Sequence, residues 1–163
     1  MTEQLKFDLT TRPALRREDF YVSPSNHVAV ALIDGWRDWP GGKLMLKGPS
    51  GSGKTHLAHV WAEQSGARII SATDLPDVSV GELAQASLCI EDAEAAAGDA
   101  DAEAHMFHLH NLVLSEGHAL MVTTAQEPSL WGLRLPDLKS RMEGTQVVAL
   151  SPPDDELLGA VLS

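Results

Sequence analysis

A single cysteine in 163 residues excludes a disulfide framework, and the place of Cys89 in the apolar run Leu88-Cys89-Ile90 marks it as a buried structural thiol. Basic residues are also few. Twelve Lys and Arg stand against 23 Asp and Glu, and the net charge of −11 repels the phosphates of nucleic acid, so strong direct DNA binding is not expected. No apolar run reaches about 18 residues, the length a spanning helix needs. Residues 1–8 are polar and acidic, so neither a membrane span nor a signal peptide is expected, and the cytoplasm is the expected location. There is no internal repeat. With 44% apolar and 21% charged residues the composition is that of one ordinary globular domain.

What is present is a phosphate-binding pattern. Gly48-Pro49-Ser50-Gly51-Ser52-Gly53-Lys54-Thr55 fits G-x-x-x-x-G-K-[ST] at every fixed position. Its glycines let the backbone turn N–H groups inward, Lys54 supplies a cation for the outer phosphates, and the Thr55 hydroxyl can bind Mg²⁺. The flanks agree. Leu44-Met45-Leu46 reads as a buried parallel strand over 43–47. Leu57, Val60 and Trp61 then share one helical face, so the loop opens a helix whose positive end faces the phosphates. Residues 48–56, through His56, are the expected nucleotide-binding segment.

Ahead of the loop, Ser25 or Asn26 can cap a helix carrying Val28, Leu32, Ile33 and Trp36, ended by Trp39-Pro40-Gly41-Gly42. Beyond it, residues 67–71 and 87–90 read as strands, joined by a short helix or irregular link over 74–85. From 91 to 103 there are six acids and no base, by default a solvated, mobile surface. Residues 102–117 read as a helix with Met106, Leu109, Leu112 and Val113 inward, and 119–123 and 146–150 as further strands. A loop bearing Pro128, Pro136 and the basic trio Arg134, Lys139 and Arg141 is expected between those two strands. Strands alternating with helices predict an α/β fold with a five-stranded parallel sheet covered on both faces.

A nucleoside triphosphatase needs acids at the end of a strand beside the loop strand, to hold Mg²⁺ and orient water. Glu91-Asp92 is expected there, with Glu91 joining Thr55 as a metal ligand. Glu91 is one methylene longer than the usual aspartate, and magnesium demands near-octahedral geometry, so binding is expected to outrank turnover. Thr123-Thr124 ends the fourth strand; Thr124 either reaches the γ-phosphate or serves β-propensity alone. Arg141 either enters a neighbouring subunit's nucleotide site, to stabilise transition-state charge, or is an ordinary solvated arginine. His105, His108 and His110 lack a cysteine partner and do not share one face, so boundary histidines rather than a zinc site are expected. Gln4-Leu5-Lys6-Phe7-Asp8-Leu9 alternates polar with apolar and reads as a partner-docking peptide or as a terminus packed on its own domain.

With the phosphate loop, Glu91-Asp92 and Leu138-Lys139-Ser140-Arg141 in that order, nearly the whole chain resembles the AAA+ domain of the DnaA replication initiators. Residues 19–26, with Tyr21, Val22 and Asn26, are similar to the family's segment beside the adenine, and residues 107–112 to its helix after the acidic strand. Residues 132–141 resemble the Hda branch of regulatory inactivators, and residues 150–153 the hinge into a helical lid. The resemblance implies a three-layer αβα P-loop NTPase fold of AAA+ type. It divides the chain into a tail at 1–12, a nucleotide-binding core at 13–150 and the start of a truncated helical lid at 151–163. Implied ligands are ADP or ATP with Mg²⁺. Gln4, Leu5, Phe7 and Leu9 resemble the peptide with which sliding-clamp partners fill pockets on the DNA polymerase III β clamp.

The implied activity is regulation of replication initiation. Docked on the clamp, the protein presents Arg141 to ATP held by DnaA and promotes its hydrolysis, while its own turnover is slow. Ala125 stands where many relatives carry an acid, and no helix-turn-helix segment follows residue 163, so origin recognition is not expected. Self-association stays open. So do two other readings: a freestanding ATPase acting as a helicase loader or DnaA-like initiation factor, and an adaptor whose nucleotide is structural.

Overall fold

Among the described residues, five strands and five α-helices alternate. They are α1 (His27–Asp34), β1 (Lys43–Lys47), α2 (Lys54–Ser65), β2 (Arg68–Ser71), α3 (Val80–Leu83), β3 (Leu88–Glu91), α4 (Ala100–Ser115), β4 (Leu120–Thr124), α5 (Pro136–Glu143) and β5 (Val147–Ala149). The structure is a computed structural model that describes Val22 and residues 26–151; Gln4, Leu5, Phe7, Leu9, Tyr21 and residues 152–163 lie outside the described residues. The strands form one sheet in the order β2-β3-β4-β1-β5, and every pair is parallel.

Successive side chains of a strand point to opposite faces, and the sheet uses this to build two cores. Leu44 and Leu46 of β1 pack with Ile33 of α1 and Leu57 and Trp61 of α2. Met45, between them, faces the other way with Met106 and Leu109 of α4 and Leu138 and Met142 of α5. The same alternation sends Leu88 and Ile90 to the α4 side and Cys89 to the α2 side. Burial of each such large apolar side chain contributes about 1.5–3 kcal/mol. Trp61 anchors the α2 layer, with Trp39 tilted against it at 5.2 Å and Trp36 edge-on at 6.1 Å.

Cys89 is fully buried, and burial, reinforced by the charges of Glu91 and Asp92, pushes its thiol well above the ordinary range. It is a core side chain, as its apolar neighbours predict.

Three sequence expectations are corrected. The stretch from 91 to 103 is not a loose acidic surface. Ala93 and Ala96 are buried in a 3-10 turn, Asp99 caps α4 by accepting the Ala102 N–H at 3.0 Å, and Glu103 is buried. Backbone N–H groups bond the carboxylates of Glu94, Asp99 and Glu103, which ties the segment to the fold, while Asp92, Asp99 and Asp101 remain exposed. The loop expected before the last strand contains α5, because Pro136 sits at a first-turn position where its missing N–H costs nothing, and Leu138 and Met142 bury one face. Finally, α1 ends at Asp34; Val28 is exposed, Leu32 and Trp36 are half-buried, and the inward face is Ala29, Val30 and Ile33.

Candidate functional site

The chain leaves the C-terminal end of β1 into a turn that only glycine can make in places. Gly51 and Gly53 have φ of 83° and 100°, in the left-handed region. Gly48 is constrained differently: a Cβ there would lie 2.6 Å from Ser52 Oγ and 2.9 Å from the Leu150 carbonyl. Its N–H donates to the Thr124 carbonyl at 3.0 Å, which ties the loop to the end of β4. Gly53 is the N-cap of α2, so Lys54 and Thr55 are its first residues and the helix N-terminus opens on the loop.

Lys54 reaches back across the loop and donates to the carbonyls of Gly48 and, at 3.3 Å, Thr124. The Thr55 hydroxyl donates to Glu91 Oε1 at 3.1 Å. Together Ser50, Gly51, Lys54, Thr55, Asp92 and Ala125 line an open cleft of about 300 Å³. Residues spread over 75 positions of sequence therefore converge on one cleft.

The acid strand is not beside the loop strand, however. β4 lies between β1 and β3, so the carboxylate of Glu91 reaches Thr55 on the first turn of α2 rather than across a neighbouring strand. Asp92 follows with φ 56° and ψ 50°, the one non-glycine residue of positive φ among those described. Its N–H donates to Thr123 Oγ1 at 3.0 Å. A left-handed aspartate at a cleft is a strained conformation held by its surroundings.

Thr124 enters the site through its carbonyl. Its buried hydroxyl donates to the Gln126 carbonyl at 2.8 Å and accepts from Gln126 N–H and Trp131 Nε1 at 3.1 and 3.0 Å. The alternative in which that hydroxyl reaches a γ-phosphate is not the arrangement seen. Asn26 is buried at the head of α1, without a side-chain capping bond, Val22 is 43% exposed, and His56 is half-buried on α2.

Arg141 lies elsewhere. Its carbonyl accepts a 3.2 Å hydrogen bond from Nζ of Lys43, the first residue of β1, whereas the phosphate loop leaves the last. A five-residue strand separates the two ends by roughly 13 Å at about 3.3 Å per residue. Arg141 is exposed and pairs with no carboxylate among the described residues.

The histidines go separate ways. His105 Nδ1 lies 2.6 Å from the Leu75 carbonyl, His108 is exposed, and His110 is buried against Lys43 and Asn111. Sequence reasoning missed Glu94, whose Oε2 accepts the Ala125 N–H at 2.8 Å while Oε1 is buried with no hydrogen-bond partner among the described residues. It also missed Lys43, whose strand-end position carries no local sign of its partners.

The residues fit a nucleotide with its metal. Ser52 Oγ is a buried polar atom with no hydrogen-bond partner among the described residues, within the loop that opens α2. Thr55 and Glu91 offer two hard oxygen donors 3.1 Å apart, the kind that Mg²⁺ takes. Among the described residues no helix is long and apolar enough to cross a membrane.

No family model matches the chain. Among solved structures, a DNA replication initiation factor superposes with a TM-score of 0.81 at 19% identity, over 92% of this chain and 53% of its own. AMPPCP-bound DnaA from Aquifex aeolicus gives 0.77 at 20% identity, over 92% and 54%. The DnaC helicase loader gives 0.65 at 15% identity, over 86% of this chain and 99% of its own. The chain spans about half the length of the first two. At these identities the likeness shows the fold alone, an α/β fold shared with the DnaA and DnaC structures.

Proposed function

We propose that this chain is an adenine-nucleotide-binding AAA+ regulator of replication initiation, of the Hda type, that acts on the ATP of another protein. The observation that carries this reading is the separation of Arg141 from the chain's own phosphate loop by the length of β1. An arginine anchored at the end of β1 opposite the loop is set away from the nucleotide of its own molecule and, being exposed, is free to enter a neighbour's. DnaA is the proposed neighbour, supported by the likeness to DnaA structures, two of which hold AMPPCP. Gln4, Leu5, Phe7 and Leu9 are the proposed contact with the DNA polymerase III β clamp, on the strength of their sequence pattern.

In this reading the loop N–H groups and Lys54 would hold the phosphates of ADP or ATP, Thr55 and Glu91 would hold Mg²⁺, and Tyr21, Val22 and Asn26 are the proposed contacts with the base on the strength of their sequence pattern. ATP with its metal, when bound there, would supply a polarised γ-phosphate. The chain's own part is to orient it with Lys54 and to keep Glu91 and Asp92 at the cleft. Arg141 acts in trans by neutralising charge that develops on the partner's phosphoryl group.

The test is turnover of DnaA-bound ATP with the clamp and DNA present. Arg141→Ala should lower stimulation by about 10³-fold, the usual scale of a lost arginine finger. Stimulation equal to wild type would remove Arg141 from the mechanism. A clamp pull-down with and without Gln4 and Leu5 tests the docking peptide.

A second reading, a freestanding ATPase of the helicase-loader kind, is favoured by one observation: the match to the DnaC helicase loader takes in 99% of that chain. It requires robust ATP hydrolysis without partners, lost in Glu91→Ala.

A further inference from the structure

Helix α4 carries a carboxylate into the interior at its first turn. Glu103 is 3% exposed, and its oxygens accept three backbone N–H groups. Oε1 takes Leu135 at 2.8 Å and Arg134 at 3.0 Å; Oε2 takes Gly98 at 2.8 Å and shares Arg134 at 3.1 Å. A buried carboxylate is costly unless its lone pairs are met, and here backbone meets them.

The donors come from two places that matter to the site. Gly98 closes the segment that carries Asp92 and Glu94, the acids on the nucleotide side. Arg134 and Leu135 immediately precede Pro136, the first residue of α5. That helix has no side-chain cap, since Leu135 stands at its N-cap. Nor does side-chain packing fill the seam, for a cavity of about 230 Å³ bordered by Gly98, Ala104 and Leu135 lies along it. Hydrogen bonds to Glu103 therefore set where α5 begins. At its other end, Lys43 holds the Arg141 carbonyl.

We propose that Glu103 is a positioning residue for Arg141: its buried carboxylate anchors the entry to α5 onto the loop that follows the nucleotide-side acids. The proposal takes its functional meaning from the reading of Arg141 given above. A packing role alone would let glutamine, of the same size, replace it without consequence. An anchoring role would not, because the amide keeps one acceptor and turns its NH₂ against an N–H.

The experiment pairs hydrogen exchange with turnover in the full chain bearing Glu103→Gln. Exchange at Arg134 and Leu135 should quicken about tenfold while β1 and β4 keep wild-type rates. Maximal turnover of DnaA-bound ATP should fall about tenfold, with the concentration giving half-maximal stimulation unchanged. Wild-type exchange at those two amides overturns the proposal. So does wild-type turnover in Glu103→Gln under conditions where Arg141→Ala is impaired. If Arg141→Ala is itself unimpaired, the reading of Arg141 fails, while quickened exchange in Glu103→Gln still upholds the anchor. One arm needs no variant: in the wild type the amides of Gly98, Arg134 and Leu135 should be protected as a group, and exchange at open-loop rates would refute the anchor even if the variant does not fold.

Discussion

Nζ of Lys43 lies 2.8 Å from Nε2 of His110, two basic side chains in contact across 67 positions of sequence. An ammonium can only donate, so Nε2 is the acceptor and the ring proton sits on Nδ1, which donates to Asn111 Oδ1 at 2.8 Å. His110 is neutral in this arrangement.

Burial, seconded by the charges of Lys43 and Arg141, holds the His110 imidazole below its ordinary 6.5, against an opposing pull from Asn111. Its folded pKa is thus depressed relative to the unfolded chain. The stability it contributes is complete above the unfolded value and is lost as pH falls through the folded one. Urea unfolding of the wild type should weaken as pH falls below about 6.5, the ordinary imidazole value. His110→Gln keeps an acceptor for Lys43 but cannot titrate, and it should flatten that slope. A ¹⁵N titration should find the Nδ1–H tautomer at neutral pH.

Gly48 and Gly51 should respond differently to alanine. At Gly48 the added methyl meets the Leu150 backbone at 2.9 Å, so Gly48→Ala should cost about 1–3 kcal/mol in urea unfolding and abolish binding of a fluorescent nucleotide. At Gly51 the space is open and only the positive φ resists, so about 1–2 kcal/mol is expected there.

Asp92 separates conformation from chemistry. Asp92→Gly relieves the left-handed strain and should leave stability within about 1 kcal/mol of wild type. Asp92→Val, forced into the same backbone, should lose about 1–3 kcal/mol. Both remove the carboxylate from the cleft, so intrinsic nucleotide turnover should fall equally in the two. A difference in turnover that tracked stability would mean the carboxylate has no part in the chemistry.

Glu103 should govern acid stability. Desolvation pushes its carboxyl up, but the N–H groups of Gly98, Leu135 and Arg134, with the Arg134 charge, outweigh it and leave the group below the ordinary 4.5. Its contribution is present above the unfolded value and is lost as pH falls through the folded one. Glu103→Gln should therefore be less stable than wild type at neutral pH, and the gap should close in acid, as read by thermal unfolding.

The residues that the sequence alone determined are those whose signal is local. Gly48 to Thr55 dictates a phosphate loop because backbone turn, cation and hydroxyl are all encoded within eight consecutive residues. The three inner strands, β1, β3 and β4, were legible because burial on both faces leaves short apolar runs between turn residues. Helix α5 was not, since Pro136 reads as a breaker until Leu138 and Met142 find a core to face. Tertiary structure decided the rest. It put β4 between β1 and β3, gave the Thr124 hydroxyl to Gln126 and Trp131, buried Glu103, and brought Lys43, His110 and Arg141 together. Each of these depends on partners distant in sequence or on what the packed fold leaves in reach. A side chain's neighbours across a fold are set by packing that no window of sequence contains.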